Sequence, residues 1–267
     1  MSKFYDIIEG LQPIEESLVL KGDYKGTIWQ RLVAGYYMIM PSHTLKHNPA
    51  WEELAKKFTR QREFLSHLFS MEPTTGDPYD SMKHLTRSIN KQREETGKAS
   101  VRVYSEPPSG AEDDDSVPQG HPVWSNDMNV IVRWVHDIMA HYYGQHKFSA
   151  RGEYGAYNRH TKTIGVNTDA TKALFTEVVA QTSCYYVYGD FVEQKVTLMT
   201  DHFDATKVGA LNPTSPLNKY FELVNKELVK TKTFNTEEFI KEFPKLSKEL
   251  KRQETLGKSL IPLQPIF

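Results

Sequence analysis

The segment from Arg133 to His160, RWVHDIMAHYYGQHKFSARGEYGAYNRH, places histidines and carboxylates among many apolar and aromatic residues of a helical sequence. Its centre is His136-Asp137, followed at position 141 by a second histidine. Polar groups inside a helical core must hydrogen-bond one another or bind a metal ion. A chain with this segment is therefore expected to bring several of these side chains together in its interior, and a mononuclear metal site is one way to satisfy them.

The helical spacing of these residues leaves two ligand sets open. An α-helix has 3.6 residues per turn, so residues 136 and 141 lie off each other's face unless the helix is wound differently between them. Asp137 and His141 are four apart and share a face. Neutral imidazoles with one or two carboxylates suit zinc or iron. The pattern predicts one of two sets: His136, His141 and Glu177, or Asp137 and His141 with Glu153 or Glu177. The alternative without a metal is a polar network in a helical core.

Length and composition limit the class of protein. A chain of 267 residues and 30.8 kDa can build a full core. We expect a single domain over 1–267, with a helical part over 1–98, a metal-site core over 99–205 and a helical extension over 206–267. The net charge of −1 gives no sign of bulk nucleic-acid binding. The lone cysteine, Cys184, excludes an internal disulfide framework and fits a reducing cytoplasm.

Two further features concern possible partners. No apolar run reaches the length of a membrane helix, and the start of the chain lacks a signal peptide, so we expect a cytoplasmic protein without a membrane partner. A basic stripe on a predicted helix offers a weak indication of nucleic-acid contact, although a solvated helix face is the simpler interpretation. Its candidates are Lys83, Arg87, Lys91 and Arg93.

Apolar periodicity and capping residues predict a mainly α-helical fold with a minor β element. The predicted helices cover about 25–40, 49–70, 79–96, 125–143, 152–163 and 169–188, and the predicted strand covers 99–106. Residues 107–121 are rich in Pro, Gly and acid and predict a lid or a solvated linker. The aspartates at 113–115 could bind a hard cation, or they are simply a solvated charge run.

Part of this region resembles the aromatic amino acid hydroxylases, which are pterin-dependent non-haem iron enzymes. Their iron motif is His-Glu-x-x-Gly-His, and here residues 136–141 read His-Asp-Ile-Met-Ala-His, while Glu177 in Phe-Thr-Glu stands near the place of the third ligand. The resemblance covers roughly 121–190. It implies a helical catalytic domain with Fe(II) on His136, His141 and Glu177, a pterin or other organic cosubstrate, and Arg133 as candidate for the arginine that binds the substrate carboxylate.

A second resemblance, over about 130–205, is to proteins of bacteriophages and mobile elements. They carry Arg-x-x-His-Asp-x-x-(Gly/Ala)-His, then Phe-x-x-x-Gly-Glu-x-x-Ala, then Thr-Glu-x-x-x-Gln. The three elements are found here at residues 133–141, 148–156 and 176–181. This resemblance implies a phage-encoded protein that works in a bacterial cytoplasm on nucleotides or DNA, for example in DNA modification.

These features are consistent with three functions. The leading hypothesis is an iron oxygenase or hydroxylase acting on an aromatic or nucleobase-like small molecule, in which Asp137 positions a water or cosubstrate. In it, the side chains that orient the ligands by hydrogen bonds are Glu153, His160 and Gln181. The second is a zinc-dependent hydrolase or transferase of nucleotide or DNA metabolism, with Glu153 as general base. The third is a phage structural or interaction protein without enzymatic activity.

Overall fold

The computed structural model describes residues 33–106 except 35, 38 and 39, residues 121–188 except 167, and residues 192–201. Most of the helix predicted over 25–40 lies outside the described residues. The same holds for residues 107–120, with the aspartates at 113–115, and for the extension predicted over 206–267.

The described part of the chain is mainly α-helical with one small sheet, which confirms the predicted fold class. In its first half, helix α1 spans Asn48–Leu65, strand β1 spans Phe69–Thr75, helix α2 spans Met82–Thr96 and strand β2 spans Ala99–Glu106. A short 3-10 turn, Leu45–His47, precedes α1. Strand β1 is a correction, because the apolar stripe predicted a helix that continued to residue 70.

The second half consists of helices. These are α3 (Asn126–His136), the π-helix π1 (Asp137–Tyr142), α4 (Ala150–Ile164), α5 (Asp169–Leu174), the π-helix π2 (Phe175–Ala180) and α6 (Gln181–Tyr188). The α3–π1 unit matches the predicted helix over 125–143, and α5, π2 and α6 together match the one over 169–188. In the described ranges no helix is both long enough and apolar enough to cross a bilayer.

Side-chain caps fix where the site-bearing helices begin. The hydroxyls of Ser125, Ser149 and Thr168 each accept a hydrogen bond from a backbone N–H three residues later. These bonds satisfy donors that the first turn of a helix leaves unpaired. At the other end of α2, Gly97 adopts the left-handed conformation with φ of 76°, which favours glycine and ends the helix. Local sequence thus sets the helix boundaries.

The sheet consists of two parallel strands, in register from Phe69 opposite Ala99 to Thr74 opposite Tyr104. Parallel neighbours need a crossover connection, and α2 lies between them in the chain. Val101 and Val103 of β2 are buried, and α3 packs against this strand. The sheet therefore supports the helix that carries the first histidine of the candidate site.

The core is organised around α1. Its residues Trp51, Leu54 and Phe58 are fully buried, as the apolar stripe predicts, and the helix packs against α3 and α5. Trp134 of α3 is also buried. Burying side chains of this size is the main source of stability in a helical core. Helix α1 also meets α4, where the ring of Phe58 contacts the ring of His160.

Candidate metal centre

The π-winding of π1 brings the two histidines of the motif together. Its i→i+5 pattern is seen in the hydrogen bond from the N–H of Tyr143 to the carbonyl of Ile138, 2.9 Å long. This wider winding places residues five apart on the same face, and such segments are frequent at functional sites. The ring centroids of His136 and His141 are 4.8 Å apart. The local change of winding that this spacing required is therefore present.

Glu153, in the first turn of α4, faces both rings. Its Oε2 lies 3.1 Å from Nε2 of His136, and its Oε1 lies 3.5 Å from Nε2 of His141. One donor atom from each of the three residues lies within 4.8 Å of the others, a group that could hold a metal ion. Glu153 and His141 are 6% and 2% exposed, so water screens this cluster little.

The start of α4 depends on a glycine next to Glu153. A Cβ atom at Gly152 would lie 1.9 Å from the backbone oxygen of Lys147. Real Cβ atoms do not approach a carbonyl oxygen so closely, so only glycine allows this chain path. The close approach holds the first turn of α4, and with it the carboxylate, against the loop that follows π1.

The proton arrangement of His141 makes the cluster suitable for a cation. Its Nδ1 lies 2.7 Å from the carbonyl oxygen of His146, which can only accept, so Nδ1 carries the ring proton. In the neutral ring Nε2 is then a lone pair, and it faces a Glu153 oxygen at 3.5 Å. Two acceptors in a buried place repel unless a proton or a metal ion lies between them. The chemistry of the donor set therefore fits a metal ion.

Burial also tunes the protonation of the cluster. It lowers the pKa of His136 and of His141 to about 4, because the charged imidazolium loses hydration. It raises the pKa of Glu153 to about 7, although the neighbouring His141 opposes the rise. Both imidazoles are therefore neutral near pH 7, the form that binds metals.

Two further histidines support these rings. Nε2 of His160 lies 3.2 Å from Nδ1 of His136, and the two rings stack with centroids 5.2 Å apart. His160 is fully buried, and the ring of Phe58 lies on it at 5.2 Å. His141 is held by the carbonyl of His146. In metal sites, the ligand histidines usually bond a second partner through the other ring nitrogen.

Glu177, in π2, lies outside this group. Its Oε1 accepts a 2.6 Å hydrogen bond from the indole N–H of Trp51 and lies 3.1 Å from Nε2 of His121. Nδ1 of His121 accepts the backbone N–H groups of Val123 and Trp124. The ring proton of His121 is therefore on Nε2, and this nitrogen donates to Glu177.

This arrangement corrects the predicted ligand set. Among the residues that the structure describes, the triad of His136, His141 and Glu177 is not assembled, nor is a set that contains Asp137. Glu153, predicted as a ligand only in the set with Asp137 and otherwise as a general base or an orienting group, takes the third place. The physical reason is the rotation of the helices, which turns Glu177 toward α1 and the donors of Trp51 and His121.

Asp137 and Arg133 lie beside the cluster. Burial raises the pKa of Asp137 to about 8, the charge of Glu153 adds to the rise, and Arg133 opposes it. Arg133 donates from Nη1 to the carbonyl of Tyr104 at 3.3 Å, and its guanidinium lies 5.3 Å from the centre of that ring. Gln181 is half-buried at the start of α6, and no hydrogen bond joins it to the cluster within the described ranges.

The predicted basic stripe is only partly formed. Lys83, Arg87 and Lys91 are exposed on α2. Arg93 instead turns inward, where its Nη1 donates to the hydroxyl of Tyr142 at 3.2 Å and its guanidinium lies 5.7 Å from the ring centre of Phe69. Nucleic-acid contact through these three exposed cations stays a prediction.

Sequence reasoning missed three residues of this region. His146 was passed over although it lies only five residues after His141, and its backbone oxygen orients that ring. His121 stands at the end of a polar loop and gave no signal, while Trp51 lies in the helix predicted over 49–70, where its apolar character indicates only a core position. Both of these bond Glu177, a contact across 56 and 126 residues of chain that no local pattern reveals.

No protein-family model matches this chain, and no curated protein or solved structure shows significant similarity to it.

Proposed function

We propose that His136, His141 and Glu153 hold one divalent metal ion, and that the protein is a mononuclear non-haem iron oxygenase. The supporting observation is the buried approach of a histidine lone pair to a carboxylate, with the second histidine 3.1 Å from the same carboxylate. Two histidines and one carboxylate on one side of Fe(II) leave positions open for dioxygen and a substrate. This donor set is typical of oxygenases of this kind.

The residues around the cluster suggest what each would contribute. Bound Fe(II) would supply dioxygen activation. The ring of Phe148 packs edge-on against His141, with centroids 4.4 Å apart, and helps to exclude water from that ligand. Asp137 follows His136 in the chain, and Arg133, one helical turn before His136, lies over the ring of Tyr104. We therefore propose an aromatic or nucleobase-like substrate, which such groups can stack on and orient.

The proposal is tested by metal content and oxygen uptake. Protein purified without oxygen is analysed for iron and zinc, then loaded with Fe(II) and screened in an oxygen electrode with nucleosides and aromatic amino acids. We expect about one iron per chain and substrate-dependent oxygen uptake. Uptake that requires an added reduced pterin would identify the cosubstrate. Absence of any bound metal after reconstitution would contradict the proposal and favour a non-enzymatic protein.

A zinc-dependent hydrolase is the second candidate, because zinc hydrolases also use two histidines and a glutamate. Since Glu153 is then a ligand, it is not free to act as the general base. Asp137, whose charge interacts with Glu153, is the candidate for that role. One zinc per chain that resists exchange for iron, without oxygen uptake, would favour this function.

Metal affinity is expected to weaken as the pH falls below 7. In the metal-free protein the Glu153 carboxyl, with a pKa of about 7, is protonated below that pH, and a metal binds only the carboxylate. Binding then releases a proton, so Kd should rise about tenfold per pH unit below 7 and level off above it. The two histidines add to this only near their pKa of about 4. Zinc titrations between about pH 5 and 8 measure the slope, and a flat profile would contradict a ligand role for Glu153.

A further inference from the structure

A buried arginine lies next to the candidate metal centre, and no carboxylate among the described residues forms an ion pair with it. Arg159 of α4 is 1% exposed, yet its Nε, Nη1 and Nη2 have no hydrogen-bond partner in the structure as described. Burial lowers the pKa of Arg159 to about 10, so the guanidinium stays charged at neutral pH. An unpaired buried charge is strongly unfavourable, and proteins rarely tolerate one.

A second unpartnered nitrogen lies close to this guanidinium. Nε2 of His146 is buried and has no hydrogen-bond partner among the described residues. A Cβ atom placed on Gly144 would lie 2.7 Å from Cδ of Arg159 and 2.9 Å from Cδ2 of His146. Both side chains therefore pack against Gly144, because a side chain at that position would collide with them. His146 also packs its ring against Gly155, where a Cβ would lie 2.5 Å from Nδ1.

We propose that Arg159 and His146 form a binding site for a small oxyanion, the carboxylate or phosphate group of a ligand. The planar guanidinium presents paired N–H groups that match the two oxygens of either group. The neutral imidazole of His146 can add one N–H donor from Nε2. Such an anion would satisfy both unpartnered groups and neutralise the buried positive charge.

The place of this site relates it to the candidate metal centre. The backbone oxygen of His146 orients His141, and Arg159 precedes His160, which lies 3.2 Å from His136. A ligand anchored here through its anionic group would lie on the side of the cluster where His146 and His160 contact the two proposed metal ligands. The anion site stands on its own contacts and does not require that a metal be bound.

Thermal unfolding of the full chain tests the proposal, with inorganic phosphate and acetate as separate probes and chloride at equal ionic strength as reference. Metal is first removed with EDTA, which is then dialysed away because its own carboxylates could occupy the site, so the result does not depend on a metal. A ligand that binds only the folded state raises Tm with the logarithm of its concentration once that concentration exceeds Kd, by roughly 5 °C at a hundred times its Kd. We expect this rise in the wild-type protein with at least one probe. Phosphate alone or acetate alone would identify the anion class.

Arg159→Met is the decisive variant, and Arg60→Met on the exposed face of α1 is its matched control. Arg159→Met should lose the response to the anion and show an unchanged or higher Tm without it, because an unpaired buried charge has been removed. Arg60→Met should respond like the wild type. If Arg159→Met does not fold, Arg159→Lys replaces it, with an expected rise of about tenfold in the Kd of the anion.

Three outcomes would overturn the site. They are a wild-type Tm that neither probe changes, an anion response that survives in Arg159→Met, and equal anion affinity in Arg159→Lys and the wild type. A large loss of stability in Arg159→Met, together with the first of these outcomes, would assign Arg159 to the fold alone.

Discussion

Replacing Glu153 by glutamine is expected to remove the metal from the protein, whereas the same replacement at Glu177 should leave the metal content unchanged. Glutamine keeps the size of the side chain but removes the negative charge that balances a divalent ion. Glu153 faces both histidines, while Glu177 bonds Trp51 and His121. We expect metal affinity to fall at least about 100-fold in Glu153→Gln, more than the loss of a supporting partner produces.

Elemental analysis and metal titration of the purified variants measure this difference. His136→Ala and His141→Ala serve as positive controls and should also lose the metal. Circular dichroism should show folded protein for each variant, so that metal loss is not a consequence of unfolding. Metal lost in Glu177→Gln but retained in Glu153→Gln would instead restore the ligand set that the sequence pattern favoured.

The largest loss of stability is expected for Trp51→Ala. This side chain is fully buried in α1, and replacing a buried tryptophan by alanine costs about 3–5 kcal/mol. The substitution also removes a donor from the buried carboxylate of Glu177, which adds about 1–3 kcal/mol. Urea unfolding monitored by circular dichroism gives the free energy of unfolding. A Trp51→Ala protein within about 1 kcal/mol of the wild type would contradict this assignment.

A pair of conservative variants isolates the hydrogen bond. Trp51→Phe keeps an aromatic ring and removes the N–H that donates to Glu177. Trp134→Phe makes the same change at another buried tryptophan, whose Nε1 has no hydrogen-bond partner in the described part of the chain. We expect Trp51→Phe to lose about 1–3 kcal/mol more than Trp134→Phe. Equal losses would show that the bond to Glu177 adds nothing to stability.

The two glutamates thus have different expected roles. Glu153 faces the ring nitrogens of His136 and His141, and the three donor atoms lie close enough together to hold a metal ion. Oε1 of Glu177 already accepts two hydrogen bonds, which connect π2 to α1 and to the residues before α3. Glu177→Gln is therefore expected to weaken the fold rather than the metal site.

Much of the local structure could be predicted from the sequence, because it depends on neighbours within a few residues. Ser125 and Gly97 mark a helix start and a helix end through bonds made within one turn. The spacing of Trp51, Leu54 and Phe58 gives the buried face of α1. The motif also identified both histidines of the cluster, together with the condition that the helix between them be wound differently.

The packing of the helices determines which carboxylate meets those histidines. Glu153 and Glu177 both follow the motif on apolar helices, and their local sequences do not tell which one faces π1. That choice depends on how α4 and π2 are rotated when they pack, a sum of contacts between residues distant in the chain. Strand β1 also depends on contacts between distant residues, because it pairs with β2 about thirty residues further along the chain. This pairing outweighs the helical periodicity that predicted a helix up to residue 70. The sequence determined the helices and the histidines, and packing determined the site, because helix rotation and strand pairing depend on non-local contacts.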